Sequence, residues 1–191
     1  VQVSADINAS GYPLSGFVVY NKSQLSMKDC TFSGHIKSTS NASVDISGFI
    51  SSMSGESSFK FDRCAFTGGI EILAGWRAGA FVSTNTSTMV ADCEMNFCEM
   101  SGSISQENGS ERVGGFIGSP NTDKSSYIMK GCLMNGTCKR WKSNQEHVWI
   151  TQENCIIMGC GTWKTMGSNT STTNCYLTPT TELTVNNMSG F

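Results

Sequence analysis

A parallel β-solenoid of about five rungs is the fold class that this sequence predicts, and three observations predict it. A Cys-centred motif returns every 34 residues. Within each copy, apolar residues fall at alternate positions, the period of a strand with one buried face. The composition suits exposed strands and turns rather than helices: 28 Ser and 18 Thr make up about a quarter of the 191 residues, and charged residues only 15%, against ~25% in an ordinary soluble domain.

The motif reads CTFSGHI from Cys30, CAFTGGI from Cys64, CEMSGSI from Cys98 and CLMNGTC from Cys132, with a shortened CIIMG from Cys155. Five residues before the Cys stand Leu25, Phe59, Cys93 and Tyr127; three before stand Met27, Phe61, Met95 and Met129. Two after stand Phe32, Phe66, Met100 and Met134, four after Gly34, Gly68, Gly102 and Gly136, and six after Ile36, Ile70, Ile104 and Cys138. The alternation slips once, just before the Cys, where a corner or bulge would keep both halves facing inward. The Gly column fits a second bend or a crowded interior.

A second motif precedes each of these. Gly16-Phe17-Val18, Gly48-Phe49-Ile50, Ala80-Phe81-Val82 and Gly115-Phe116-Ile117 recur, and Trp149-Ile150 holds the same place in the fifth copy. The chain ends on Ser189-Gly190-Phe191, which reads as the opening of a further copy. Each copy is therefore expected to give three short strands: the Gly-Phe strand, the strand before the corner, and the Cys-to-Ile strand. One such unit cannot bury its own apolar face, whereas stacked units can. A β-sandwich also uses many short strands, but it has no need of in-register columns at a constant period. The expected organisation is an N-terminal arm or cap strand at residues 1–14, rungs at 15–160, and a strand-like tail at 161–191 that pairs with a neighbouring subunit.

Asn-x-Ser/Thr sequons occur at Asn8, Asn21, Asn41, Asn85, Asn108, Asn135, Asn169 and Asn187. This composition alone would give roughly three or four, so the excess points to N-linked glycans on surface loops of a secreted protein. A Ser/Thr/Asn-rich chain reaching eight by composition is the bland alternative. Nine Cys agree with an oxidising compartment. Cys30 with Cys64 and Cys98 with Cys132 would staple adjacent rungs, since stacked strands bring Cα atoms within disulfide reach. Local pairs are the competing choice: Cys93 with Cys98, Cys132 with Cys138, Cys155 with Cys160. A buried ladder of thiols is the third. Nine is odd, and Cys175, placed outside the repeat, is the candidate unpaired or intermolecular thiol.

Neither a cofactor nor a metal is expected. No CxxC pair has partner ligands, and His35 and His147 lie far apart. A net charge of −2 gives no basic footprint for nucleic acid, and no apolar run is long enough to span a membrane as a helix. Solenoid lyases and hydrolases need converging carboxylates. Asp29, Asp62 and Asp92 flank the Cys motif, but Arg63, Glu94 and Glu99 are scattered around them. No catalytic residue is assigned and the chain is read as no enzyme. Trp76, in the loop before Arg77, is the candidate sugar contact.

These units resemble the Gly-Leu-rich "GLUG" repeats and related β-helix repeats of microbial and protist surface proteins. The matching residues are GGFIG at Gly114–Gly118, the strand that follows, the Cys-x-Phe-x-Gly-x-Ile unit and the next Gly-Phe, over about residues 15–160. The resemblance implies an extracellular adhesive or scaffold role. Strand-like ends without a charged or helical cap add an expectation of end-to-end self-association into a glycan-coated fibre.

Overall fold

The computed structural model describes residues 1–39, 44–73, 77–86, 92–106, 113–120, 126–138, 149–160, 170–179 and 184–186. Among these the chain is all-β and winds as a parallel solenoid. One complete rung consists of Asp45–Ser47, Ile50–Met53, Ser58–Asp62, Ala65–Phe66 and Gly69–Ile72. Each of these strands lies on one of five faces and pairs in parallel with its counterparts in the rungs below and above. The registers place Phe59 on Leu25, Phe61 on Met27 and Met95, Phe66 on Phe32 and Met100, and Ile70 on Ile36 and Ile104. These are the columns read from the 34-residue period.

Five strands replace the expected three, and local chemistry explains both extra breaks. The Gly-Phe segment is a turn between two strands. Ser47 Oγ accepts the Phe49 N–H at 3.1 Å and donates to the Ala80 carbonyl of the next rung at 3.2 Å. Ser15 repeats this, accepting from Phe17 N–H at 3.4 Å and donating to Phe49 O at 2.8 Å. A hydroxyl bound to the backbone two residues on is a turn signal. The Cys-to-Ile segment is split by the Gly bend between Ala65–Phe66 and Gly69–Ile72. A Cβ on Gly68 would collide with the carbonyl oxygen of Gly34, on Gly102 with that of Gly68, and on Gly136 with that of Gly102. The column stays Gly because successive bends stack backbone on backbone.

The slip before the Cys is a left-handed corner repeated in every rung. Asp29, Arg63, Phe97, Gly131, Asn154 and Asn174 occupy it, with φ between 51° and 61°. Asn and Asp tolerate this region best among residues with side chains. Inside the coil, rings stack along the axis: Phe17 on Phe49 at 4.9 Å, Phe49 on Phe81 at 4.7 Å, Phe81 on Phe116 at 5.3 Å and Phe32 on Phe66 at 5.8 Å. Apart from Phe17, these rings are fully buried.

The boundaries expected at 14 and 160 do not divide the stack. Gln2–Val3 and Asp6–Ala9 pair in parallel with Thr31–Phe32 and His35–Ser38, forming a partial turn ahead of the first rung. At the other end Thr170–Thr173 and Cys175–Pro179 continue the parallel pairing as a sixth rung. Thr184–Asn186 then turns back antiparallel on Cys175–Pro179 within the same chain. Trp149–Glu153 pairs with Ser126–Lys130, so Trp149 begins a strand before the corner and does not hold the Gly-Phe place. No helix among the described residues is long and apolar enough to cross a membrane.

Candidate functional site: an uncovered end and a corner ridge

Two surfaces depart from an evenly buried stack. The first is the N-terminal end. Among the described residues, Gln2–Val3, Asp6–Ala9, Leu14–Ser15, Val18–Asn21 and Gln24–Lys28 are the outermost strands of all five faces, each paired on one side only. The inward residues here, Val3, Ile7, Phe17, Val18, Leu25 and Met27, are only half-buried, whereas Phe32, Ile36, Phe49, Ile50 and Phe61 one rung up are inaccessible. Tyr12 and Tyr20 stand exposed beside this end. A row of unpaired backbone groups over an apolar layer is a template for another strand layer.

The second is the ridge along the left-handed corner. Arg63 forms two bonds to Asp29, Nε to Oδ1 at 2.8 Å and Nη2 to Oδ2 at 3.0 Å, and a third to Asp62 at 3.1 Å. The Arg63 guanidinium holds the Asp29 carboxyl below its usual range. Lys60 pairs with Glu94 at 2.9 Å and Lys130 with Glu153 at 3.3 Å. Asp29 and Asp62 are therefore tied to a cation, and do not form a carboxylate pair facing a groove. On the neighbouring face an open cleft of about 340 Å³ is lined by Lys37, Glu71 and Ser105 among others. Its charges also pair internally, Lys37 to Glu71 at 2.8 Å. His35 adds an exposed contact to Glu71 at 3.4 Å.

The cysteines form a ladder. Cys30, Cys64, Cys98, Cys132, Cys155 and Cys175 each follow a corner residue in successive rungs, and all six are buried. Cys175 thus belongs to the repeat, contrary to its expected position outside it. Spacing hid this, since the interval from one ladder Cys to the next shrinks from 34 residues to 23 and then 20. None of the eight described cysteines, these six with Cys93 and Cys138, is in a disulfide. The expected staples Cys30–Cys64 and Cys98–Cys132 and the local pairs Cys93–Cys98 and Cys132–Cys138 are absent. The Cys160 side chain lies outside the described residues. Each ladder thiol instead donates to the carbonyl two residues back, as in Cys30 to Lys28 O at 3.3 Å and Cys98 to Asn96 O at 3.5 Å. From Asp62 onward these carbonyls also accept the corner N–H of the neighbouring rung, as Asn96 O does from Arg63 at 2.9 Å, so the thiol is a second donor to the same oxygen.

The Cys132 thiol draws the Cys98 pKa down, but the Cys64 thiol and burial prevail and push it up to about 12. Cys132 is likewise drawn down by Cys155, yet Cys98 and burial carry it to about 12; Cys155 is raised to about 12, chiefly by Cys132. Such thiols keep protons that the unfolded chain releases above the usual 9.0. Their contribution to stability is therefore complete below pH 9 and lost as pH rises toward 12. A denaturant midpoint that falls across that range, and falls less in a Cys98→Ala/Cys132→Ala variant, is expected. The eight buried cysteines should also resist iodoacetamide until the chain unfolds. Rapid native alkylation would contradict the ladder.

The sequons divide. Asn8 and Asn135 are exposed. Asn21 and Asn85 are not: they are 5% and 1% accessible. Asn21 Nδ2 donates to Ser58 O at 3.0 Å, and Asn85 Nδ2 to Tyr127 Oη at 2.9 Å. A glycan on either nitrogen would break these bonds and could not fit the stacked interior, so the expectation of glycans at Asn21 and Asn85 is withdrawn. Column position carried the warning: both stand four residues after the Gly-Phe phenylalanine, in register with Met53. Asn41, Asn108, Asn169 and Asn187 lie outside the described residues, as does Trp76. In a secreting eukaryotic host, glycopeptide mapping of folded protein should find Asn21 and Asn85 bare; substantial occupancy there would contradict the register. Asn85→Ala should cost about 1–3 kcal/mol, through loss of the buried hydrogen bond to Tyr127 Oη. The chain matches no family model, no curated protein and no solved structure.

Proposed function

We propose that this chain is an extracellular structural protein, the subunit of a surface fibre or scaffold built by end-to-end stacking, with a second copy of the chain seated on its N-terminal end. The observation that supports the reading is the outermost strand layer at residues 2–28: among the described residues its five strands pair on one side only, around a half-buried apolar layer that a further strand layer would cover. Head-to-tail contacts that do not close generate filaments. The extracellular part rests on the exposed sequons at Asn8 and Asn135. The cysteines no longer argue for it, since buried thiols suit either redox compartment.

Ser26 offers a test. It is an exposed residue of the edge strand Gln24–Lys28. Asp29 N–H reaches up to Asp62 O at 3.0 Å, so by alternation along a parallel strand the Ser26 N–H points to the open side. Ser26→Pro should leave the fold intact and block a further strand. Light scattering should show wild-type mass rising with concentration and Ser26→Pro remaining monomeric. A wild-type protein that stays monomeric at every concentration would overturn the reading.

A further inference from the structure

Phe97 is out of place by every rule that the fold obeys elsewhere. It sits at the left-handed corner with φ 53°, a conformation that bulky side chains rarely adopt. Its counterparts are Asp29, Arg63, Gly131, Asn154 and Asn174, which are polar or lack a side chain. Its ring is 65% exposed and makes no stack with the interior rings. The backbone is held there by the Phe97 N–H bond to Lys130 O at 2.7 Å. Above it the column is Gly131, where a Cβ would come within 2.6 Å of the ring, so the ring lies along the ridge across a position kept clear for it. The outer column beside the ridge turns apolar in the next two rungs: Glu99, in the rung of Phe97, is followed in register by Leu133 and Ile156, and Ile156 is exposed. Amide and carboxylate groups stand in the adjoining positions at Asn96, Glu99 and Asn154.

We propose that Phe97 is the aromatic platform of a saccharide contact site on this ridge, its ring stacking on the C–H face of a pyranose while the amides and carboxylates of Asn96, Glu99 and Asn154 take the sugar hydroxyls. Strained positions that serve no packing purpose are where ligand contacts concentrate. An aromatic face with polar neighbours suits a ligand that is apolar on one face and hydroxylated at its rim. A protein partner fits less well. Phe97, Leu133 and Ile156 make a small patch beside the ~800 Å² per partner of a stable interface. The surrounding charges are already paired within the chain at Asp29–Arg63, Lys60–Glu94 and Lys130–Glu153, leaving little for a partner's charges to match. The site is independent of end-to-end assembly.

Saturation-transfer NMR of the full chain with chitotriose, laminaritriose and lactose as probes tests this. At least one probe should bind, with a dissociation constant on the order of millimolar, as a single platform allows. Phe97→Asn places in the corner the residue that Asn154 and Asn174 already supply there. It should weaken that binding by about tenfold or more while leaving the melting temperature unchanged or higher. Phe97→Trp should retain binding. Failure of all three probes to bind, or binding unaffected by Phe97→Asn, would overturn the proposal. A marked loss of melting temperature in Phe97→Asn without any bound probe would do the same, leaving the ring a cover for Gly131.

Discussion

Phe81→Ala is expected to destabilise the fold by about 3–5 kcal/mol, as for a large ring removed from a rigid core. Phe81 is inaccessible and lies between Phe49 at 4.7 Å and Phe116 at 5.3 Å, with Phe61 at 6.0 Å beside it. The cavity cannot close by collapse, because the rungs on either side are fixed by parallel pairing of Val82–Asn85 to Ile50–Met53 and Ile117–Pro120. Phe17→Ala, in the same column, should cost about half as much. Phe17 is half-buried and stacks on one side only, at 4.9 Å. Denaturant midpoints of the two variants, measured where the protein is monomeric, decide the matter. Equal losses would mean that the first rung is as enclosed as the third, which would contradict an uncovered N-terminal end.

The second large effect separates two adjacent glycines. Gly68→Ala should cost about 3 kcal/mol or more, because its Cβ meets a backbone oxygen, that of Gly34, which cannot move without opening the rung. The bonds from Gly69 N to Gly34 O at 3.0 Å and from Ser103 N to Gly68 O at 3.0 Å lie on either side of that contact. Gly69→Ala should cost less than about 1 kcal/mol. The nearest atom to its Cβ is His35 Nδ1 at 2.6 Å, the end of a half-exposed side chain that can swing away and whose contact with Glu71 is a weak surface pair. Similar losses at the two positions would show that the bends are not stacked backbone on backbone.

The columns were legible in the sequence because a stack imposes one environment on every copy. The Met/Phe, Cys, Phe/Met, Gly and Ile positions of residues 25–138 align at the 34-residue period in the sequence itself, and the pairing registers follow that alignment. Two kinds of feature were not legible. The turns at Ser15 and Ser47 depend on a hydroxyl closing a local ring, a signal easily lost in a chain with 28 Ser. Rungs five and six were obscured because they drop residues between ladder cysteines, which hid Cys175 and misplaced Trp149.

The candidate sites show the same division. A sequon is read locally, but whether its nitrogen faces water is set by the column in which it falls, and Asn21 and Asn85 fall in an inward one. Cysteine pairing was open because stacking satisfies the distance for a disulfide without requiring the bond. The Phe97 ridge left no sequence signal at all. A Phe two residues after Met95 reads as one more apolar residue of the repeat until the corner conformation turns it outward.

End-to-end assembly is tested most directly by electron microscopy of the purified, untreated protein. The longest face carries eight strands, so stacked copies spaced at ~4.8 Å per strand should form filaments with an axial repeat of roughly 35–40 Å per subunit. Regular filaments with that repeat, absent in Ser26→Pro, are the expected result. Isolated particles at every concentration, or filaments that persist unchanged in Ser26→Pro, would contradict assembly through the N-terminal strand edges.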